Sequence, residues 1–401
     1  MQGRAGERKP EGDVRRKARL VWALAVVACG PGDSVVQAER WTVEPDLRIG
    51  AVDDPLYGLG QVLGLAVGPG GEMLVAEWRE GALRVFDAEG RYVRRIGRSG
   101  AGPGESSQPM APTFRGDTLF VADPFQRRLH RFTREGGLLE TIAPVVKPLS
   151  DVLGAPTPGV PLADGTLLSR PAIRADLIGT VVREAPAVRM SRSGEILDTI
   201  LMLPQTNGSL TVRYADGAYS TRAPITDEPL FGVTSDGSAV VLVTREAATS
   251  GTASTFRVTK LSIGRDTLFS RAYEYAPVPL AGANGDSLVN ELARRIASSG
   301  RVTIAQAEEA TRRAIFLPRF RPPVSELQMG RDGTTWLRRE EGDGPDVEWN
   351  VLDEDGQLIA RVALPRVLRV YAADREHVWG VVKDELDVDY VVRYRVMRAA
   401  R

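Results

Sequence analysis

One pattern constrains this chain more than any other: a glycine-marked turn, an apolar strand, a polar loop, a second strand, a tight turn and a third strand. Gly71-Glu-Met-Leu-Val-Ala-Glu77 leads to Leu83-Arg-Val-Phe-Asp-Ala-Glu-Gly90-Arg-Tyr-Val-Arg-Arg-Ile-Gly97. Gly116-Asp-Thr-Leu-Phe-Val-Ala-Asp123 leads to Leu129-His-Arg-Phe-Thr-Arg-Glu-Gly136-Gly-Leu-Leu-Glu-Thr-Ile142. The paired glycines stand 19 and 20 residues apart. Looser copies run from Gly165 to Gly194 and from Gly333 to Gly356, and Gly237-Ser-Ala-Val-Val-Leu-Val-Thr244 opens another. The last is Glu376-His-Val-Trp-Gly-Val-Val382 followed by Tyr390-Val-Val-Arg-Tyr-Arg-Val396. Repetition on this scale means similar units stacked side by side, each unable to bury its apolar face alone.

The first period, 45 residues from Gly71 to Gly116, is that of a β-propeller blade, a four-stranded antiparallel sheet. The strand cores Met73–Ala76, Leu119–Ala122 and Val240–Val243 are apolar at consecutive positions, as expected of sheets covered on both faces. Asp46-Leu-Arg-Ile-Gly50 repeats the outer-strand ending Val93-Arg-Arg-Ile-Gly97, whereas the last repeat, from near Val367, has only three strands. Pairing the N-terminal strand with that repeat completes a sixth blade and removes an exposed edge. The expected fold is all-β, a six-bladed propeller over 41–401 with a small helical insertion, 272–323, between blades four and five.

Together these residues resemble the six-bladed propellers of the NHL-repeat type. Gly97-Arg-Ser-Gly100-Ala-Gly102-Pro103-Gly104-Glu105 is similar to that family's inter-blade connection, and Val121-Ala122-Asp123 to the end of its second strand. The resemblance implies a fold; its members include binding modules and some enzymes.

The equal totals of 52 basic and 52 acidic residues conceal an uneven distribution. Residues 1–28 carry seven basic groups against three acidic ones, then Leu20-Val-Trp-Ala-Leu-Ala-Val-Val-Ala28, nine apolar residues ending at Cys29-Gly30-Pro31-Gly32. That length suits a signal-peptide core and falls short of the ~20 residues that span a bilayer. Cys29, the sole cysteine, follows Val26-Val27-Ala28 in a setting that resembles a bacterial lipobox, so lipidation at Cys29 is expected. The competing site is cleavage after Val36-Gln37-Ala38. Residues 29–40 then form a tether, and the product is exported and held at the cell envelope by its lipid alone. Beyond residue 28, 45 basic groups face 49 acidic ones, which argues against a nucleic-acid partner.

In a four-strand meander the first-to-second and third-to-fourth turns share one face, and the second-to-third loops and inter-blade crossings share the other. The first class is short throughout: Pro69-Gly-Gly71, Asp87–Gly90, Thr133–Gly136, Ser191–Gly194, Asp236-Gly237 and Asp353–Gly356. All the long segments, 78–82, 98–109, 170–185, 201–228, 245–255, 272–323, 339–346 and 383–388, fall in the second. Binding residues concentrate on loops carried by a rigid scaffold, so the long-loop face is the expected working face. Its candidates for ligand binding are Trp78, Arg79, Phe125, Arg127 and Arg128, rim aromatics beside arginines that suit a sugar, carboxylate or peptide, or that pack between loops. In 272–323, Asp286-Ser287 is a candidate cap for a helix presenting Leu288, Leu292 and Ile296, and Thr303-Ile-Ala-Gln306 has capping-box form at the head of a second. From 291 to 321 seven arginines face three glutamates, either a cationic lid or ordinary solvated faces.

No catalytic constellation stands out. His130 and His377 are the only histidines, each read as structural, and there is no His-Glu-x-x-His, Gly-x-Ser-x-Gly or phosphate loop. Asp384-Glu385-Leu-Asp387-Val-Asp389 lacks EF-hand spacing, and Asp123 is expected to hold its own turn. The leading reading is therefore a non-catalytic module that binds an envelope protein, peptide or small molecule, without a cofactor. The alternative is a lactonase-like hydrolase or lyase with Ca²⁺ at the central channel, to which Glu77 and Asp123 contribute.

Overall fold

The computed structural model describes residues 38–78, 80–173, 182–205, 208–214, 217–280, 282–298, 300–340, 342 and 344–398. The expected signal peptide, Cys29 and Arg79 lie outside the described residues. Among the described residues the fold is all-β apart from two helices, α1 (Gly282–Ala297) and α2 (Ile304–Ala314), which lie in the chain between strands Thr267–Tyr275 and Val324–Met329.

Among the described residues the strands form six antiparallel arrays of four, two of them joined into one eight-stranded sheet, and two further two-stranded pairs. Their innermost members are Val62–Val67 in sheet 1, Met110–Arg115 in sheet 2, Val160–Pro161 in sheet 3, Leu230–Val233 in sheet 4, Val324–Met329 in sheet 5 and Arg369–Ala373 in sheet 6. Sheet 6 has three strands from the C-terminal end of the chain and takes its outer one, Glu39–Ile49, from the N-terminal side, paired from Thr42 opposite Met397 to Ile49 opposite Val391 with a one-residue shift between Pro45 and Leu47. The first residues of that strand also pair in parallel with sheet 5, Trp41 opposite Val362, and Trp41 is buried against Trp336. One strand thus joins two sheets and covers both edges.

Among the described residues, six of the seven apolar clusters are each drawn from two successive sheets and hold the arrays together. Leu74, Val85 and Ile96 of sheet 1 meet Leu119, Val121 and Phe132 of sheet 2, and Val258 of sheet 4 meets Leu337 of sheet 5. The series returns on itself, because Trp379 and Val391 of sheet 6 pack with Val62, Met73 and Phe86 of sheet 1. Sheets buried on both faces explain the consecutive apolar runs, and the cyclic packing gives a propeller-like fold.

The repeated glycines do more than turn. Gly136 has φ +98°, and a Cβ there would stand 2.8 Å from Ile96 of the preceding sheet. Gly356 meets Phe269 of the preceding sheet in the same way, at 2.5 Å. Each of these third-to-fourth turns therefore presses bare backbone on its neighbour's outer strand.

Two features of the long segments depart from expectation. Within 201–228 the chain forms a hairpin, Ser209–Tyr214 with Gly217–Arg222, whose Leu210 and Val212 pack with Leu292, Ala293, Ile296 and Ala307 of the helices. Helix α1 also begins at Gly282, ahead of the expected Asp286 cap; Asp286 instead accepts a 2.7 Å bond from Arg312 of α2. Helix α2 has the expected box, Gln306 N–H donating to Thr303 Oγ1 at 3.3 Å and Thr303 N–H to Gln306 Oε1 at 3.0 Å.

Candidate functional site

At the long-loop ends of the second and third strands, buried polar groups hold the incoming chain. Glu77 accepts Gly60 N–H at 2.7 Å and meets Arg84 Nε at 2.6 Å. Both side chains are buried, and burial pushes the Glu77 carboxyl upward despite Arg84. Asp123 accepts Gln126 N–H at 3.1 Å, which closes its own turn, and also Ser107 N–H at 2.7 Å, which fixes the crossing from sheet 1. Asp389 of sheet 6 accepts Val62 N–H of sheet 1 at 2.7 Å and Arg369 Nη2 at 2.9 Å. Arg245 answers with the opposite polarity: it donates to Glu228 O at 2.7 Å and to Val324 O of sheet 5 at 2.9 Å. Burial lowers its pKa to about 10, so it remains a cation at neutral pH.

The candidates on the first two loops divide by chemistry. Trp78 and Phe125 stand exposed on equivalent loops of sheets 1 and 2, at 42% and 67%. Arg127, at φ +55°, donates to Ala155 O at 3.1 Å, and Arg128 to Ala101 O at 2.7 Å and Gly102 O at 3.0 Å. Both arginines therefore tie loops to one another. The acidic run does not converge either: Asp384 accepts Leu386 and Val388 N–H, Lys383 reaches Asp387 at 2.6 Å, and Asp389 serves Val62. His130 is fully buried with Nδ1 3.0 Å from Thr141 Oγ1, while the His377 ring lies tilted against Trp379.

Sequence reasoning missed one feature of this face, a cavity of about 680 Å³ beside α1. Ser287, Leu288 and Glu291 of α1 form one wall; 222–226 and Leu280 form another, and Arg245, Arg321, Pro322, Ser325, Glu326 and Glu340 complete it. Leu288 lines this space while Val289, Leu292 and Ile296 are buried, so one helix serves both a core and a cavity. Its acids are largely neutralised: Glu340 lies 3.3 Å from Arg338, 3.4 Å from Arg366 and 3.5 Å from Arg321, Glu326 lies 2.5 Å from Arg338, and Glu291 3.1 Å from Arg295. Arg222, exposed at the rim, has no ion pair among the described residues, and its charge helps depress Arg245. Ser325 Oγ donates to Glu340 at 2.8 Å, and no histidine lies near to activate a hydroxyl, since both belong to sheets 2 and 6. The arginine surplus of the helices is mostly paired as well: Arg312 with Asp286, Arg313 with Glu309, Arg321 with Glu340.

A second cavity, about 770 Å³, runs between the innermost strands of all six sheets. Its wall is mainly Leu, Val, Ala, Pro and Met, with Arg115, Arg331, Gln328 and Tyr371, and no carboxylate or imidazole among the lining residues.

A family model described as a 6-bladed beta-propeller, DUF5128, matches residues 66–143. A solved structure of a DUF4221-family member from Bacteroides vulgatus aligns at TM-score 0.51 and 10% identity, over 90% of this chain and 100% of that one. Virginiamycin B lyase from Staphylococcus aureus aligns at 0.40 and 10% over 89% and 100%, and the aldose sugar dehydrogenase of Streptomyces coelicolor at 0.39 and 13% over 90% and 99%. No curated protein matches the sequence. No helix among the described residues is long and apolar enough to cross a membrane. What this chain shares with the Bacteroides protein is a propeller-like fold.

Proposed function

We propose that the protein is an exported six-bladed propeller of the NHL type, lipidated at Cys29, whose helical pair is an insertion between blades four and five. It works as a non-catalytic binding module. Its ligand is an amphiphilic anion, a small molecule or peptide end, seated in the cavity beside α1. Arg222 meets the anion; Ala223, Pro224, Ile225, Leu280 and Leu288 receive the apolar part. The carrying observation is the pairing state of this cavity, in which the carboxylates have basic partners and the rim guanidinium of Arg222 has none among the described residues. A cavity whose carboxylates are paired, while among the described residues the exposed Arg222 has no ion pair and the buried Arg245 meets only carbonyl oxygens, favours a ligand that supplies negative charge.

A Ca²⁺-dependent hydrolase with a channel site finds no support in these residues. Glu77 and Asp123 are engaged with backbone N–H groups and Arg84, and the charges facing the channel are guanidinium groups, which repel a cation.

Titration with 8-anilinonaphthalene-1-sulfonate, an amphiphilic anion, tests the binding reading. Saturable fluorescence enhancement is expected, weakened about tenfold by Arg222→Glu and abolished by Leu288→Arg. Equal binding by wild type and both variants would contradict it. Intact mass of membrane-extracted protein tests the anchor: acyl groups on Cys29 are expected, and a mature terminus at Glu39 refutes them.

A further inference from the structure

Two arginines close the short-turn end of the central channel, and between them they touch all six sheets. Arg115 ends the inner strand of sheet 2; its Nε donates to Pro161 O of sheet 3 at 3.1 Å, and its Nη1 to Ser235 O of sheet 4 at 3.0 Å and to Phe114 O at 2.9 Å. Arg331, in the first turn of sheet 5, donates to Asp374 of sheet 6 and to Gly68 O of sheet 1, both at 2.9 Å. The two differ in one respect. Arg331 has a carboxylate partner, whereas Arg115 is surrounded by carbonyl oxygens, with no acid in contact and no acceptor for Nη2 among the described residues. The nearest acid acting on it through space is Asp236, whose oxygens accept from Thr234 and Ser238.

A guanidinium held by neutral dipoles at the end of an apolar cavity is an uncompensated charge, which an anion entering the same low-dielectric space neutralises. The strand that carries Arg115 is irregular at its other, long-loop end. There it bulges between Met110 and Thr113, and Ala111, exposed and lining the cavity, is held at φ +44°. Bulges and left-handed non-glycine residues cluster where a strand re-aims side chains at a ligand. The remaining surface, from Leu63, Leu65, Val67, Pro112, Val233 and Met329, suits a hydrocarbon body.

We propose that the channel binds, at its short-turn end, an elongated apolar molecule carrying one carboxylate, with the carboxylate on Arg115 and the hydrocarbon along the inner strands. This site is separate from the cavity beside α1 and stands whether or not that cavity binds anything.

Isothermal titration calorimetry with decanoate, 1-decanol and decylammonium as probes tests it on the full mature chain. Decanoate is expected to bind one to one, about tenfold or more tighter than decanol, the ratio of one charge-assisted contact, with decylammonium weakest. Arg115→Met should erase the preference for decanoate. Because Arg115 also joins three sheets, Thr113→Phe gives a second arm: it fills the channel, leaves the arginine contacts in place, and should abolish binding. Leu288→Arg, in the other cavity, should leave decanoate binding unchanged. Equal affinity for decanoate and decanol, binding that survives Thr113→Phe, loss of binding in Leu288→Arg, or no saturation up to about 1 mM would each overturn the proposal.

Discussion

Arg331 donates a 2.9 Å hydrogen bond to the carbonyl oxygen of Gly68, 263 positions earlier in the chain. It joins the first turn of sheet 5 to the first turn of sheet 1, across sheet 6, whose Asp374 shares the same guanidinium. Replacing Arg331 by Met is expected to cost about 2 kcal/mol, the range for hydrogen bonds to a charged group, read as a shift in urea midpoint. Arg375→Met, which removes only a 3.5 Å ion pair with Asp332, should stay within about 0.5 kcal/mol. Similar losses for the two would deny Arg331 its role in ring closure.

Glu77 and Arg84 form a buried pair, and the two partners cannot be removed equally. Glu77→Met leaves the Arg84 charge buried and is expected to cost about 3–5 kcal/mol. The double variant Glu77→Met with Arg84→Met should recover most of that loss, because two apolar side chains of similar volume replace both charges. Chemical denaturation of the single and double variants measures the difference.

His130 supplies a pH dependence. Burial first, and the Arg128 charge second, hold its pKa below the ordinary 6.5. The unfolded chain therefore binds a proton that the folded chain refuses. Stability from this group is complete above pH 6.5 and falls as pH drops through and below that value, by at most about 1.4 kcal/mol per pH unit. His130→Gln, which keeps a hydrogen-bonding group near Thr141, should flatten the thermal midpoint between pH 6.5 and 5 relative to wild type. An unchanged slope would show that His130 protonates freely in the fold.

The turn glycines separate conformation from contact. Gly116 has φ +53° with open space around a Cβ, and Gly136 has φ +98° with Ile96 at 2.8 Å. Alanine at 116 should cost about 1 kcal/mol, the left-handed penalty alone. Alanine at 136 should cost clearly more, about 2–3 kcal/mol, because the outer strand of sheet 1 must also move. Thermal unfolding of the two variants decides it.

These glycines also explain what was legible in the sequence. Turn chemistry, strand apolarity and the echo of Val93-Arg-Arg-Ile-Gly97 in Asp46-Leu-Arg-Ile-Gly50 are local, so they survive as pattern, and the N-terminal strand pairs with Val391–Met397 as that echo implies. The capping box at Thr303 was readable for the same reason. The cavity beside α1 was not, because it depends on the hairpin 209–222 packing on helices about 80 residues later. Nor could the joining roles of Arg115, Arg127, Arg128, Arg245 and Arg331 be read, since their acceptors include distant backbone carbonyls, which every residue possesses. In an arginine-rich chain such residues look like surface charge until the fold places them.

The central claim is that the cavity beside α1 is where this protein binds. Hydrogen–deuterium exchange with and without 8-anilinonaphthalene-1-sulfonate tests it most directly, because protection reports location as well as affinity. Slowed exchange is expected in 222–226 and at 287–291, with the loops at 50–56 and 384–388 unchanged. Protection confined to those other loops, or none at saturating probe, would contradict it.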